Sequence, residues 1–93
     1  MWVLVVTLSY RAPWCKSLKD KRSVVRGALS ALKNRFNVAA AESGHQDSWE
    51  LFDLTVAGLA FSRAQADSMA ENILRAAAGA AEAELYGQEV EVL

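Results

Sequence analysis

A chain of 93 residues has the length of one domain and no room for a second core, and its 53% hydrophobic and 23% charged residues exclude a disordered segment. A single cysteine, Cys15, excludes an internal disulfide framework. The net charge of -1 conceals a polarised arrangement: residues 11–35 hold eight basic residues against Asp20, a local balance of +7, and the remainder holds Arg63 and Arg75 against ten acids, a balance of −8.

Residues 2–10 (WVLVVTLSY) form an apolar, β-branched run that predicts a strand. The run is far shorter than the ~20 apolar residues of a membrane span. It has no basic residues before it and no small-residue cleavage site after it, so the expectation is a soluble, cytoplasmic chain with no membrane partner. Pro13 then turns the chain out of the sheet. Ser17 and Asp20 have the spacing of a capping box, and Leu18, Val25, Ala28, Leu29, Leu32 and Phe36 fall within an arc of about 100° on a helical wheel. A helix of four or five turns follows, with Asn37 as a candidate left-handed residue ending it.

Val38–Glu42 predicts a short strand, and Ser43–Asp47 a turn. Residues 49–61 alternate as a strand, with Phe52, Leu54, Val56, Gly58 and Ala60 on one face and Leu51, Asp53, Thr55, Ala57 and Leu59 on the other. Ser62 and Gln65 repeat the capping-box spacing, and an Ala-rich amphipathic helix is expected to run to near Glu84. Tyr86-Gly87 is expected to turn the chain into a final edge strand, Glu89–Leu93. The order βαββαβ, with right-handed crossovers, predicts an α+β ferredoxin-like fold: a four-stranded antiparallel sheet, two helices on one face and the other face bare.

The segment Lys16-Ser17-Leu18-Lys19-Asp20-Lys21-Arg22 resembles a stretch of the YlxP-like family, small bacterial proteins of unassigned function. The resemblance continues in register through Leu32-Lys33-Asn34-Arg35-Phe36-Asn37-Val38 and His45-Gln46-Asp47-Ser48-Trp49. It implies the ferredoxin-like fold, brings no catalytic residues, and implies work with RNA or the ribosome through the family's genomic neighbours. One departure stands out: Thr7 and Ser9 occupy the outer face of the first strand where the family usually carries a charged pair.

Among residues that could carry function, the basic first helix leads. Lys19, Arg22, Arg26 and Lys33 lie within about 60° on the wheel, beside the apolar arc, and Lys16 precedes them. Such a stripe suits an RNA phosphate backbone; the alternative is a solvated face whose aliphatic stems cover apolar edges. Gly27, in mid-helix, invites either close approach of another backbone or simple tolerance. His45, Gln46 and Asp47 form a polar hairpin tip, read as an Asx-type turn closed by Asp47. With no second His or Cys, neither a metal site nor a cysteine nucleophile is expected at Cys15 and His45, and no cofactor is called for. Trp14 and Trp49 flank the strand ends, either covering the rim of the core or offering faces for base stacking.

The outward positions of strands 1 and 3 carry no aromatic, which separates this chain from RNA-recognition domains of the same βαββαβ order. Residues 11–17 contain no Gly, which argues against an acylphosphatase-like anion loop. The leading expectation is a non-enzymatic protein that contacts RNA or a ribosomal surface through Lys16, Lys19, Arg22, Arg26 and Lys33. The rival is a self-assembling module, a homodimer through Val3, Val5, Leu51, Ala57 and Leu59 on the bare sheet face or through an edge strand.

Overall fold

A computed structural model describes residues 1–93, in the order β1 (Trp2–Arg11), α1 (Leu18–Arg35), β2 (Ala39–Gly44), β3 (Leu51–Ala60), α2 (Arg63–Ala80) and β4 (Glu84–Val92). The strands form one antiparallel sheet in the order β2-β3-β1-β4, so the first strand is central and the second and fourth are edges. This is the ferredoxin-like arrangement that the alternation predicts.

The period-2 pattern sends Leu4, Val6, Leu8 and Tyr10 of β1 and Phe52, Leu54 and Val56 of β3 to the helix side. There they join Val25, Ala28 and Leu32 of α1 and Ala70, Ile73 and Ala77 of α2 in one buried cluster. Leu29, Phe36 and Met69 pack against it half-buried. Tyr10 stacks on Phe52 with ring centroids 5.0 Å apart. Its hydroxyl donates to the Ala77 carbonyl at 2.7 Å, tying the sheet to α2. Burial pushes the Tyr10 hydroxyl up to about 12, so it remains a donor at any ordinary pH.

Both helices start as the capping boxes require: Ser17 and Ser62 accept through Oγ from the backbone N–H groups of Asp20 and Gln65. Their ends differ from expectation. Phe36, with extended backbone, closes α1, and Asn37 is not left-handed; the only non-glycine residue with positive φ is His45. The second helix stops at Ala80, with Ala81 extended, four residues short of Glu84. Tyr86-Gly87 is not a turn but lies inside β4. The physical reason is Leu85, which must pair with Tyr10 and pack on the core, so the strand has to begin by Glu84. Gly87 lies opposite Ser9, beside the register shift at Ser9/Tyr10.

Candidate functional site

The capping box fixes where α1 begins, and the apolar arc fixes its rotation about its own axis. Ser17 Oγ accepts from the Asp20 N–H, and Asp20 Oδ2 reaches back past the N-cap to accept from the Lys16 N–H at 3.0 Å. With Val25, Ala28 and Leu32 buried, Lys19, Arg22 and Arg26 emerge exposed, with β2 across from them. Together with Val25 and Leu29 below and Glu42 of β2 opposite, they line a groove of about 450 Å³. Lys33 is exposed two turns further along the same stripe, and Lys16 stands ahead of the helix; neither lines the groove. No carboxylate lies within ion-pairing distance of any of these five cations.

One member of the basic stretch behaves otherwise. Lys21 is 1% exposed, buried under the β2–β3 hairpin. Its Nζ donates to the carbonyls of His45 (2.8 Å), Gln46 (3.2 Å) and Leu51 (3.4 Å). Glu42 Oε2 lies 3.1 Å away as its counter-charge. An ammonium has three protons, and three carbonyls take them. Glu42 Oε2 is therefore charge-compensated, yet it is buried without a hydrogen bond. From the sequence, Lys21 enters only the local charge balance, and neither it nor Glu42 is given a role.

At the hairpin tip, Asp47 holds no backbone N–H group. Ser48 performs that role: its Oγ accepts from the N–H groups of Glu50 (3.3 Å) and Leu51 (3.0 Å). A short polar side chain closes the turn as expected, but one residue later, because Lys21 draws the preceding carbonyls inward. His45 adopts φ 59, and its Nε2 lies 3.8 Å from Asp53 Oδ2. Gln46 reaches back to the Glu42 carbonyl at 3.5 Å. A Cβ at Gly44 would come 2.5 Å from Asp53 Oδ2, so a larger residue there would have to displace the end of the Asp53 side chain.

Cys15 is buried, and burial, then the Asp20 carboxylate, pushes its thiol up, away from the thiolate a nucleophile needs. No group of three or more His, Cys, Asp or Glu stands close enough to hold a metal ion. Around Gly27 there is open space, so no other part of this chain approaches it closely. Trp14 and Trp49 are 49% and 56% exposed, and both lie at the end of the sheet nearest the start of α1.

On the helix-free face, the register sets Val3 opposite Leu59 and Val5 opposite Ala57, with Ala39 of β2 beyond. Leu51 does not join them. It pairs with Arg11 at the other end of the sheet, separated by Thr7, Thr55, Ser9 and Asp53.

Comparison with known proteins agrees with this architecture. The solved structure of the de novo designed protein Foldit4 is similar over 98% of this chain and 93% of its own, with a TM-score of 0.50 and 18% identity, a likeness of fold alone. The uncharacterized protein YlxP of Bacillus subtilis (strain 168) is 36% identical over 58 residues, which is 62% of this chain and 63% of that relative. The match thus spans less than two thirds of the curated relative's length. A family model described as "Protein of unknown function (DUF503)" matches residues 3–90, and the chain belongs to that YlxP-like family.

Proposed function

We propose that this protein is a non-enzymatic RNA-binding protein, acting on free or ribosomal RNA, whose α1 groove lies along the phosphate backbone. The observation that carries this reading is the set of unpaired cations: Lys19, Arg22 and Arg26 around one groove, with Lys16 and Lys33 beyond either end. None of these five has a carboxylate within ion-pairing distance, so their charge is free to meet a phosphate. The sheet order keeps much of the acid away. Glu84, Glu89 and Glu91 lie on β4, three strands from the β2 edge that borders the groove. Three strand spacings are about 14 Å, beyond the Debye length of about 8–10 Å at physiological salt. The overall pI near 5.7 therefore says little about the field in the groove.

Three to five phosphate contacts on a single strand release enough counterions to give log K a slope of about −2 to −3.5 against log salt. Fluorescence anisotropy with a labelled single-stranded RNA, across a salt series, is expected to read that slope. A flat response would contradict the reading.

A second reading, self-association, is favoured by the contiguous patch of Val3, Val5, Ala57 and Leu59 on the open sheet face, where Leu59 is 64% exposed. A soluble protein rarely leaves a large apolar patch uncovered, and two-fold dimers are the commonest way to cover one. Light scattering at micromolar concentration is expected to give twice the monomer mass, reduced to the monomer by Val5→Lys with Leu59→Lys. A wild-type monomer at high concentration would overturn this second reading and leave the RNA reading in place.

A further inference from the structure

We infer that the end of the sheet beside the start of α1 is a stacking platform, on which Trp14 and Trp49 take unpaired bases of the strand whose phosphates lie along the α1 groove; this rests on the RNA reading above. Indoles are highly buried on average, because an exposed one leaves a large apolar surface in water. The chain brings two half-exposed indoles to one place. The ladder between β1 and β3 runs past Arg11 and Leu51 to a last rung, from the Ala12 N–H to the Glu50 carbonyl at 2.7 Å. Trp14 follows that rung by two residues, and Trp49 precedes it by one.

Both stand on closed turns. The Cys15 N–H donates to the Ala12 carbonyl at 3.0 Å, which makes Pro13 and Trp14 the corners of a β-turn. Trp49 follows the turn closed by the Ser48 N–H on the His45 carbonyl at 3.0 Å, and Ser48 Oγ holds the next two N–H groups, of Glu50 and Leu51. Lys21, near the start of α1, ties this hairpin to the helix through its carbonyls. Little backbone therefore has to be ordered when a base arrives. The surrounding charge orients the strand. Lys16 and Lys19 lie exposed on the α1 side, and Lys19 is also a groove residue, so the cations lead from the groove to Trp14. Asp47 and Glu50 lie exposed on either side of Trp49. Phosphates are drawn to the first pair and repelled by the second, which keeps the backbone against α1 and turns the bases toward the hairpin. An apolar protein segment would cover the indoles but leave Lys16 and Lys19 unanswered. Every base has a face that stacks on an aromatic ring, and in a single strand the bases are free to splay out.

The test compares a short single-stranded oligouridine with a strand of equal length whose central sugars are abasic, bound at fixed salt. The two carry the same phosphates. The wild type is expected to bind the oligouridine at least about tenfold more tightly, with quenching of its tryptophan emission that the abasic strand does not produce. Trp14→Ala and Trp49→Ala are each expected to lose at least about fivefold for the oligouridine and little for the abasic strand, with the wild-type dependence on salt. Trp14→Phe with Trp49→Phe keeps both rings and is expected to keep most of the affinity. It leaves only Trp2, opposite Ala60 at the far end of the sheet, and is expected to lose the quenching. Equal binding of the two strands by the wild type, quenching that survives in the phenylalanine variant, or alanine variants weakened equally for both strands overturns the stacking inference and leaves the phosphate reading standing. Failure of both strands to bind overturns both.

Discussion

Replacing Lys21 with methionine is expected to destabilise the protein by about 3–5 kcal/mol, although the side chains are of similar length. Methionine fills much of the same space but donates nothing. The carbonyls of His45, Gln46 and Leu51 would lose their shared donor, and Glu42 would be left an uncompensated charge with one oxygen buried. Breaking one side of a buried pair costs far more than removing both. Lys21→Met combined with Glu42→Met is therefore expected to recover part of the loss. A domain of this size has about 5–15 kcal/mol in hand, and each kcal/mol moves its melting temperature by about 4–8 °C. Thermal unfolding followed by circular dichroism should show a drop of ~12–40 °C for the single variant. A shift of only a few degrees would mean that the hairpin does not depend on Lys21.

Charge reversal in the groove is expected to leave stability nearly untouched and to remove RNA binding. Lys19, Arg22 and Arg26 are exposed and unpaired, so Lys19→Glu, Arg22→Glu and Arg26→Glu together break no contact of the fold. Each phosphate contact on a single strand contributes about 0.7 of a decade in affinity per decade of salt, so losing three near 0.1 M costs at least about a hundredfold. Repulsion from the new carboxylates adds to that loss. Arg75→Glu, on α2 and away from the groove, is the matched control and should bind as the wild type does. Retained affinity in a folded triple variant would remove the groove from the account.

The elements were readable because two periods alternate cleanly along the chain. Strands β1 and β3 carry strict in–out alternation, and Phe52, Leu54 and Val56, placed on one face from it, are buried in the core. The end of α2 was not readable for a compositional reason: Ala76 to Ala81 offers no polar residue to mark a stop, and Gly87 imitates a turn. What ends the helix is the pairing of Leu85 with Tyr10, a contact between residues far apart in sequence.

The groove was half legible. The stripe of Lys19, Arg22 and Arg26 follows from the wheel, but its opposite wall, Glu42, comes from another element. Lys21 did leave a local signal. On the same wheel it falls inside the apolar arc, between Ala28 and Leu32, where a solvated lysine has no place. What the wheel could not supply is its partners, since the three carbonyls belong to a hairpin 24 to 30 residues away.

The central claim, that the α1 groove engages phosphates, is tested most directly by the salt dependence of RNA binding in Arg22→Gln beside the wild type. Arg22 lines the groove, is exposed and has no protein partner, so the substitution removes one cation and no contact of the fold. The account predicts that the slope of log K against log salt becomes shallower by about 0.7, the share of one phosphate on a single strand. An unchanged slope would contradict it, because the RNA would then be bound somewhere other than this groove.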